Sequence, residues 1–134
     1  MNYWLVKTEP GTYSWEDLVR DKKTVWDGVR NFQARNHLKN MKKGDQLLVY
    51  HSGEEKSVIG IGNVIKEAYP DPKDKDWVVV EIGAGKKLKK PVTLSTIKAT
   101  KKLSNMVLVR ASRLSVQPVK EDEFNAVLEL SETK

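Results

Sequence analysis

Short apolar runs, each followed by a turn signal, are the feature that most constrains how this chain folds. Runs of about four to eight residues suit β-strands and are shorter than most helices. Residues 3–7 are typical of a buried strand that ends at the Pro10-Gly11 turn. The other predicted strands cover residues 46–51, 58–65, 77–82, 91–94 and 114–119. In the 58–65 strand, Gly60 and Gly62 share one side, which leaves that side bare or closely approached by other backbone.

Short helical segments lie between these runs. Ser14 is predicted to cap a helix, and Asp17, three residues later, can bond back to it and favours the positive end of the helix. Further helices are predicted at 31–41 and 121–130, and a helical turn at 95–99. Connectors are predicted at 26–30, which is rich in turn residues, at 70–76, which is polar, and in a basic hairpin-like segment that runs to Lys90. This mixture favours an α+β fold with a curled mixed sheet or small open barrel.

The chain is sized for one domain spanning residues 1–134. A chain of this length buries about two-thirds of the surface that it exposes when unfolded, and 39% hydrophobic with 31% charged residues is typical of a globular protein. There is no cysteine, so disulfides and thiolate metal sites are excluded. The amino terminus lacks the features of a signal peptide, and no apolar run reaches the length of a membrane span. We therefore expect a soluble cytoplasmic protein with no membrane partner.

The charge balance is basic, with a formal net charge of +6 and an isoelectric point near 9.4. Such a balance suits a polyanionic ligand, because each neutralised phosphate releases counterions. It is also a common means of keeping a protein soluble, so charge alone leaves both interpretations open. If nucleic acid binds, we expect the phosphates to contact Lys42, Lys43, Arg110 and Arg113.

Candidates for catalysis are few. His37 and His51 are the two histidines, and neither has another histidine at metal-ligand spacing. His51 and Ser52 are neighbours, and within a strand their side chains would point to opposite faces and could not act as a nucleophile and its base. A strand that ends at His51 weakens this objection. The sequence contains no nucleophile elbow, zinc-protease or nucleotide-binding motif. We expect a protein that is not an enzyme and that uses no metal and no cofactor.

Aromatic, guanidinium and amide side chains are crowded between Trp26 and Asn36. A pocket for an extruded nucleobase needs these types, because aromatic faces stack on the base and amides pair with its edge. The competing interpretation is that Trp26 and Phe32 are core anchors and that Asn31 caps a helix, and residue types alone favour it.

Several ordered blocks, however, resemble the EVE domain family. They include YWLVKTEP at 3–10, WDGVRNFQARN at 26–36 and RLSVQPV at 113–119, and the match continues at 13–18, 41–45, 50–52, 67–71, 92–94 and 97–98. The resemblance covers nearly the whole chain. It implies a PUA-like fold, a small mixed open β-barrel with flanking short helices, related to the YTH and ASCH domains.

The resemblance also implies a function. YTH domains read a methylated adenine in an aromatic cage, PUA domains bind structured RNA, and EVE domains are associated with modified cytosines in DNA. By this likeness we expect a protein that binds nucleic acid, either modified DNA or RNA, and holds a flipped-out modified base, with a modified cytosine in DNA favoured. We also expect a monomer. Trp15 is either a second stacking face or a core residue. The implied base-binding residues are Lys7, Thr8, Glu9, Trp15, Trp26, Arg30, Asn31, Phe32, Tyr50, His51 and Ser52.

This chain departs from the family pattern at two positions. Many members have tyrosine where this chain has Phe32 and serine where it has Thr8, and loss of a phenol removes one hydrogen-bonding group.

Two alternative functions remain open. Since ASCH relatives include hydrolases, one alternative is a hydrolase acting on a small modified nucleoside or base, with Glu9 or His51 as its catalytic base. The other is a PUA-like module that binds structured RNA.

Overall fold

A single mixed sheet of six strands organises the computed structural model, which describes residues 1–111 and 113–133. The strand order is β2-β5-β4-β3-β1-β6. β1 runs parallel to β3, and the other neighbouring pairs are antiparallel. The strands are β1 (Tyr3–Thr8), β2 (Lys23–Trp26), β3 (Gln46–His51), β4 (Ser57–Asp71), β5 (Asp74–Thr93) and β6 (Val116–Val119). The sheet is open, with β2 and β6 at its edges, and it has the mixed α+β architecture expected of a PUA-like fold.

Short helices cover both faces of this sheet. They are α1 (Trp15–Asp21), α2 (Phe32–Asn40), α3 (Leu94–Ala99), α4 (Val107–Arg110) and α5 (Glu121–Leu130), with a 3-10 turn at Lys101–Leu103. α1 begins at the predicted capping box, in which Ser14 and Asp17 bond to each other's backbone. α2 begins at Asn31, whose side-chain oxygen accepts from the backbone N–H of Ala34 at 2.9 Å.

Two apolar cores lie on opposite faces of the sheet because successive strand residues point to opposite sides. On β1, Trp4 and Val6 belong to one core, and Leu5 belongs to the other. The first core is completed by residues of α1 and α2, such as Leu18 and Leu38. The second is completed by α3, α4 and α5. Burial on both faces explains why the strands are almost continuously apolar.

Most predicted elements are confirmed, but two predicted connectors, at 70–76 and in the basic segment that runs to Lys90, are wrong. Trp26 ends strand β2, which was not predicted and which pairs with β5, and residues 27–30 then form the predicted connector. The predicted 70–76 loop is a hairpin, in which Asp71 ends β4 and Asp74 begins β5. Pairing between two long strands stabilises this polar segment as sheet, which its composition does not indicate. The basic segment 86–90 is likewise part of β5.

Candidate functional site

The carboxyl ends of β1 and β3 bring four of the predicted site residues together. Since these strands are parallel, Thr8 lies beside His51. The Ser52 backbone N–H donates to the Thr8 carbonyl at 2.9 Å, and the Ser52 hydroxyl lies 3.5 Å from a Glu9 carboxylate oxygen. The Thr8 hydroxyl donates to the carbonyl of Tyr13 at 2.5 Å, which ties the end of β1 to the start of α1.

His51 is buried and has a partner for each ring nitrogen. Its Nε2 accepts from the backbone N–H of Trp15 at 2.9 Å, and its Nδ1 lies 3.2 Å from both carboxylate oxygens of Glu55. Because Nε2 accepts, the neutral ring carries its proton on Nδ1 and donates it to Glu55. Both nitrogens therefore hold α1 and the following loop in place, and in this arrangement neither takes a proton from a bound molecule.

Trp15 is a core residue in this structure. Its side chain is 2% exposed and packs against Gly60 of β4. Of the two alternatives for Trp15, core packing is therefore the one that the geometry supports.

Trp26 is mostly buried but contributes to an open cavity of about 280 Å³, here called the Trp26 hollow. Tyr13 meets the indole edge-on, with ring centroids 6.4 Å apart and an interplanar angle of 88°. The Tyr13 hydroxyl donates to Asp21 at 2.9 Å, and its pKa is raised, chiefly by burial. Residues lining the hollow are Thr12, Tyr13, Thr24, Val25, Trp26 and Asp27.

Sequence reasoning missed Thr12, Tyr13, Thr24, Val25 and Asp27 as neighbours of Trp26. The signal for Tyr13 was present, since it begins one of the blocks that match the family. Thr24 and Val25 carried no signal, because the edge strand β2 was not predicted. They reach the hollow through the pairing of β2 with β5.

Lys7, Tyr50 and Ser52 line a second cavity of about 330 Å³, the Lys7 hollow, together with Gly53, Lys56, Leu94, Lys98 and Leu108. The Lys7 ammonium lies 5.6 Å from the centroid of the Tyr50 ring, within the range of a cation–π contact. Burial lowers the pKa of Lys7 and raises that of Tyr50. Trp26 is not among the residues lining this hollow, so the predicted pocket residues are divided between separate cavities.

Arg30 and Phe32 lie on a third surface. Asn31, between them in the sequence, caps α2 with its side chain. Arg30 pairs with Asp71 at 3.3 Å, and its guanidinium lies 5.5 Å from the centroid of a Trp77 ring. A backbone hydrogen bond from Lys73, followed by the Arg30 contact, lowers the pKa of Asp71 against the opposing effect of its desolvation. Phe32 is stacked on Trp77 rather than on Trp26.

The four predicted phosphate contacts are all exposed. Lys42 and Lys43 lie in the turn between α2 and β3, and Arg110 ends α4. Arg113 lines a cavity of about 350 Å³, the Asn31 hollow, with Asn31, Gln33, Ala111 and Leu114. The four side chains are available to a polyanion, and their role as phosphate contacts stays a prediction.

The part of the chain that the structure describes contains neither a candidate metal site nor a candidate membrane-spanning helix. In residues 1–111 and 113–133, no group of three or more His, Asp or Glu side chains is placed to hold a metal ion. Within the same ranges, no helix is both long and apolar enough to cross a membrane.

Comparison with known proteins gives consistent matches along the chain. Residues 2–130 match the EVE domain family. Human thymocyte nuclear protein 1 is 35% identical over 98% of this chain and 74% of its own length. A crystal structure of that human protein, THYN1, in complex with 5-methylcytosine-containing DNA has a TM-score of 0.92 and 33% identity, and covers 100% of this chain and 99% of that one.

Two solved bacterial structures are also similar to this chain, one in sequence and fold and the other in fold alone. A protein from Agrobacterium tumefaciens is 42% identical, with a TM-score of 0.95 over 99% of this chain and 94% of its own. A mutant of the ZmASCH protein from Zymomonas mobilis is 11% identical, with a TM-score of 0.61 over 97% of this chain and 99% of that one, which is a likeness of fold alone. From the family match and the similarity along almost its whole length, this chain belongs to the EVE domain family.

Proposed function

We propose that this protein binds DNA containing a modified cytosine, with 5-methylcytosine favoured, and holds the flipped-out base in the Trp26 hollow. The observation that carries the proposal is an aromatic corner at the hollow, formed by the indole of Trp26 and the edge-on ring of Tyr13. Support also comes from human THYN1, which matches this chain from end to end and has been solved with 5-methylcytosine-containing DNA.

The groups around this corner suit a pyrimidine. Stacking of a base on an aromatic side chain contributes about 1–3 kcal/mol and is tolerant of base identity. Selectivity therefore depends on polar groups, and the polar residues Thr12, Thr24 and Asp27 are among those that line the hollow. A carboxylate accepts a hydrogen bond from the exocyclic amine of cytosine. Extraction of the base from the duplex costs a few kcal/mol, which these contacts have to offset.

The basic side chains Lys42, Lys43, Arg110 and Arg113 would contact the phosphates. Their exposure and the net charge of +6 support this part of the proposal. Phosphate contacts position the duplex without reading its sequence. They would therefore add affinity for any DNA, whereas the preference for a modified base would come from the Trp26 hollow.

No specific observation favours a hydrolase or an RNA-binding module over this proposal. His51, one candidate for a catalytic base, has structural partners at both ring nitrogens. Glu9, the other candidate, lies beside Ser52 and Gly53, outside the set of residues that line the Trp26 hollow. We also propose that the protein is a cytoplasmic monomer, and sedimentation in solution would test the oligomeric state.

The test is a titration of oligonucleotides with and without 5-methylcytosine, as single-stranded DNA, duplex DNA and RNA. The exposed Thr12 lines the hollow, so Thr12→Trp should fill the space and abolish the preference for the modified base. Ser104→Trp, which places the same bulk at an exposed position outside the lining residues, should bind as the unaltered protein does. Equal affinity for modified and unmodified strands, or normal binding by Thr12→Trp, would reject the proposal.

A further inference from the structure

Phe32 is an aromatic side chain placed where burial does not account for it. It is 65% exposed and is the only exposed aromatic residue among 1–111 and 113–133. By contrast, Trp4, Trp15, Trp26 and Tyr50 are each at most 8% exposed. Phe32 therefore presents apolar surface to the solvent at the start of α2, where a polar residue would be the usual choice.

The Phe32 ring is nevertheless held in a fixed position. It stacks on Trp77 with ring centroids 5.2 Å apart and an interplanar angle of 26°. The Arg35 guanidinium lies 4.8 Å from the centroid of the Phe32 ring, and its Nη1 donates to the Asp76 carbonyl at 2.8 Å. The backbone is fixed by the Asn31 cap. An exposed ring supported in this way loses little conformational freedom when it enters a partner.

Phe32 also lies near the Trp26 hollow. Phe32 and Trp26 are six positions apart in the chain, so their Cα atoms lie at most about 21 Å apart. That is the length of roughly six base pairs, at about 3.4 Å for each pair. One DNA site is therefore long enough to reach both.

Two cationic groups accompany the exposed ring. The guanidinium groups of Arg30 and Arg35 both lie 5.5 Å from the centroid of a Trp77 ring. Arg30 is partly neutralised by Asp71. Apolar wedges in DNA-binding proteins enter between base steps while cationic side chains contact the flanking phosphates.

We propose that Phe32 is a wedge that enters the duplex and occupies the space vacated by the extruded base. This inference rests on the proposed function, because a wedge is needed only if a base leaves the stack. It removes Phe32 from the wall of the base pocket, where the family resemblance placed it, and gives it a separate role. Filling the gap lowers the cost of extraction, so Phe32 would matter for duplex DNA and not for single strands.

The experiment compares Phe32→Ala with the unaltered protein on matched duplex and single-stranded oligonucleotides containing one 5-methylcytosine. Loss of one aromatic stacking contact corresponds to about a tenfold weaker affinity for the duplex. Affinity for the single strand should change by less than about twofold, because no gap has to be filled. Phe32→Leu, which retains an apolar wedge, should recover most of the duplex affinity.

Val19→Ala is the matched control, since Val19 is an exposed apolar residue on α1 and its loss should leave both affinities unchanged. Thermal unfolding of each variant shows whether Phe32→Ala remains folded. Equal losses on duplex and single strand, or no loss on either, would overturn the wedge. The single-stranded arm with Thr12→Trp reports on the hollow alone, so failure of the wedge is distinguishable from failure of the proposed function.

Discussion

Trp15 packs against the backbone of Gly60 so closely that a β-carbon added at Gly60 would lie 2.7 Å from carbons of the indole ring. Trp15 is the first residue of α1, and its backbone N–H is bound by His51 at the end of β3. Gly60 therefore fixes the side chain of Trp15, and His51 fixes its backbone. Together the two residues hold the start of α1 in place. The loop that carries Thr12 and Tyr13 to the Trp26 hollow comes directly before this helix.

We expect Gly60→Ala to destabilise the protein by about 1–3 kcal/mol, because overpacking forces a buried ring or strand to move. The measurement is urea unfolding followed by tryptophan fluorescence. Gly11→Ala is the matched control, since the nearest atom to its added β-carbon is a Glu9 carboxylate oxygen at 4.0 Å. Equal stability of the two variants would show that Trp15 is not held against β4.

Short sequence patterns predicted the parts of the fold that depend on residues close together in the chain. Ser14 and Asp17 predicted the start of α1, and acids at its start with an apolar stripe predicted α5 at its observed bounds. The hairpin at 70–76 was missed because its pairing depends on residues far along β4 and β5. For the same reason, the sequence indicated that Trp26 matters but not that Tyr13 faces it. Phe32 was grouped with Trp26 because the two are near in sequence, whereas Trp77, its actual partner, is 45 positions away.

Asp45 is a buried carboxylate that serves three donors at the start of β3. It accepts from the Trp4 indole at 2.9 Å and from the backbone N–H groups of Lys42 and Asn2 at 3.0 and 3.1 Å. Desolvation alone would raise its pKa, but these hydrogen bonds outweigh it, and the pKa of Asp45 is lowered. The carboxylate therefore stabilises the fold at pH values above its unfolded pKa, and this contribution is lost as the pH falls through the folded pKa.

We expect Asp45→Asn to lower the free energy of unfolding by about 1–3 kcal/mol at pH 7, because the amide replaces one acceptor oxygen by a donor that faces other donors. The difference from the unaltered protein should be constant above about pH 5 and shrink below about pH 4, as the unaltered carboxyl takes up its proton. Urea unfolding at a series of pH values measures it, with the exposed Asp74→Asn as control. A difference that stays the same at pH 3 as at pH 7 would contradict this account.

Gly53 has a φ of +78° and lies against Glu9, whose Oε2 would be 2.8 Å from an added β-carbon. We expect Gly53→Ala to cost about 1–2 kcal/mol from the left-handed backbone. The Glu9 carboxylate is at the end of a flexible side chain and can turn away, so little more is added. Gly44→Ala isolates the backbone cost, because Gly44 has a φ of +94° and no neighbour within 4 Å. Urea unfolding should therefore show similar losses of stability for the two variants, and a clearly larger loss for Gly53→Ala would show that the Glu9 side chain cannot move away.

Arg113 lines the Asn31 hollow and is exposed, which makes it the sharpest test of the predicted phosphate contacts. If its guanidinium neutralises one phosphate, Arg113→Ala should lower the slope of log affinity against log salt by about 0.9. It should weaken modified and unmodified duplexes equally, because a phosphate contact carries no base information. Lys90→Ala is the control, since its ammonium lies 2.6 Å from a Glu132 carboxylate oxygen and both side chains are exposed. An unchanged slope for Arg113→Ala, measured between about 50 and 200 mM salt, would remove Arg113 from the phosphate contacts and leave the Trp26 hollow unaffected.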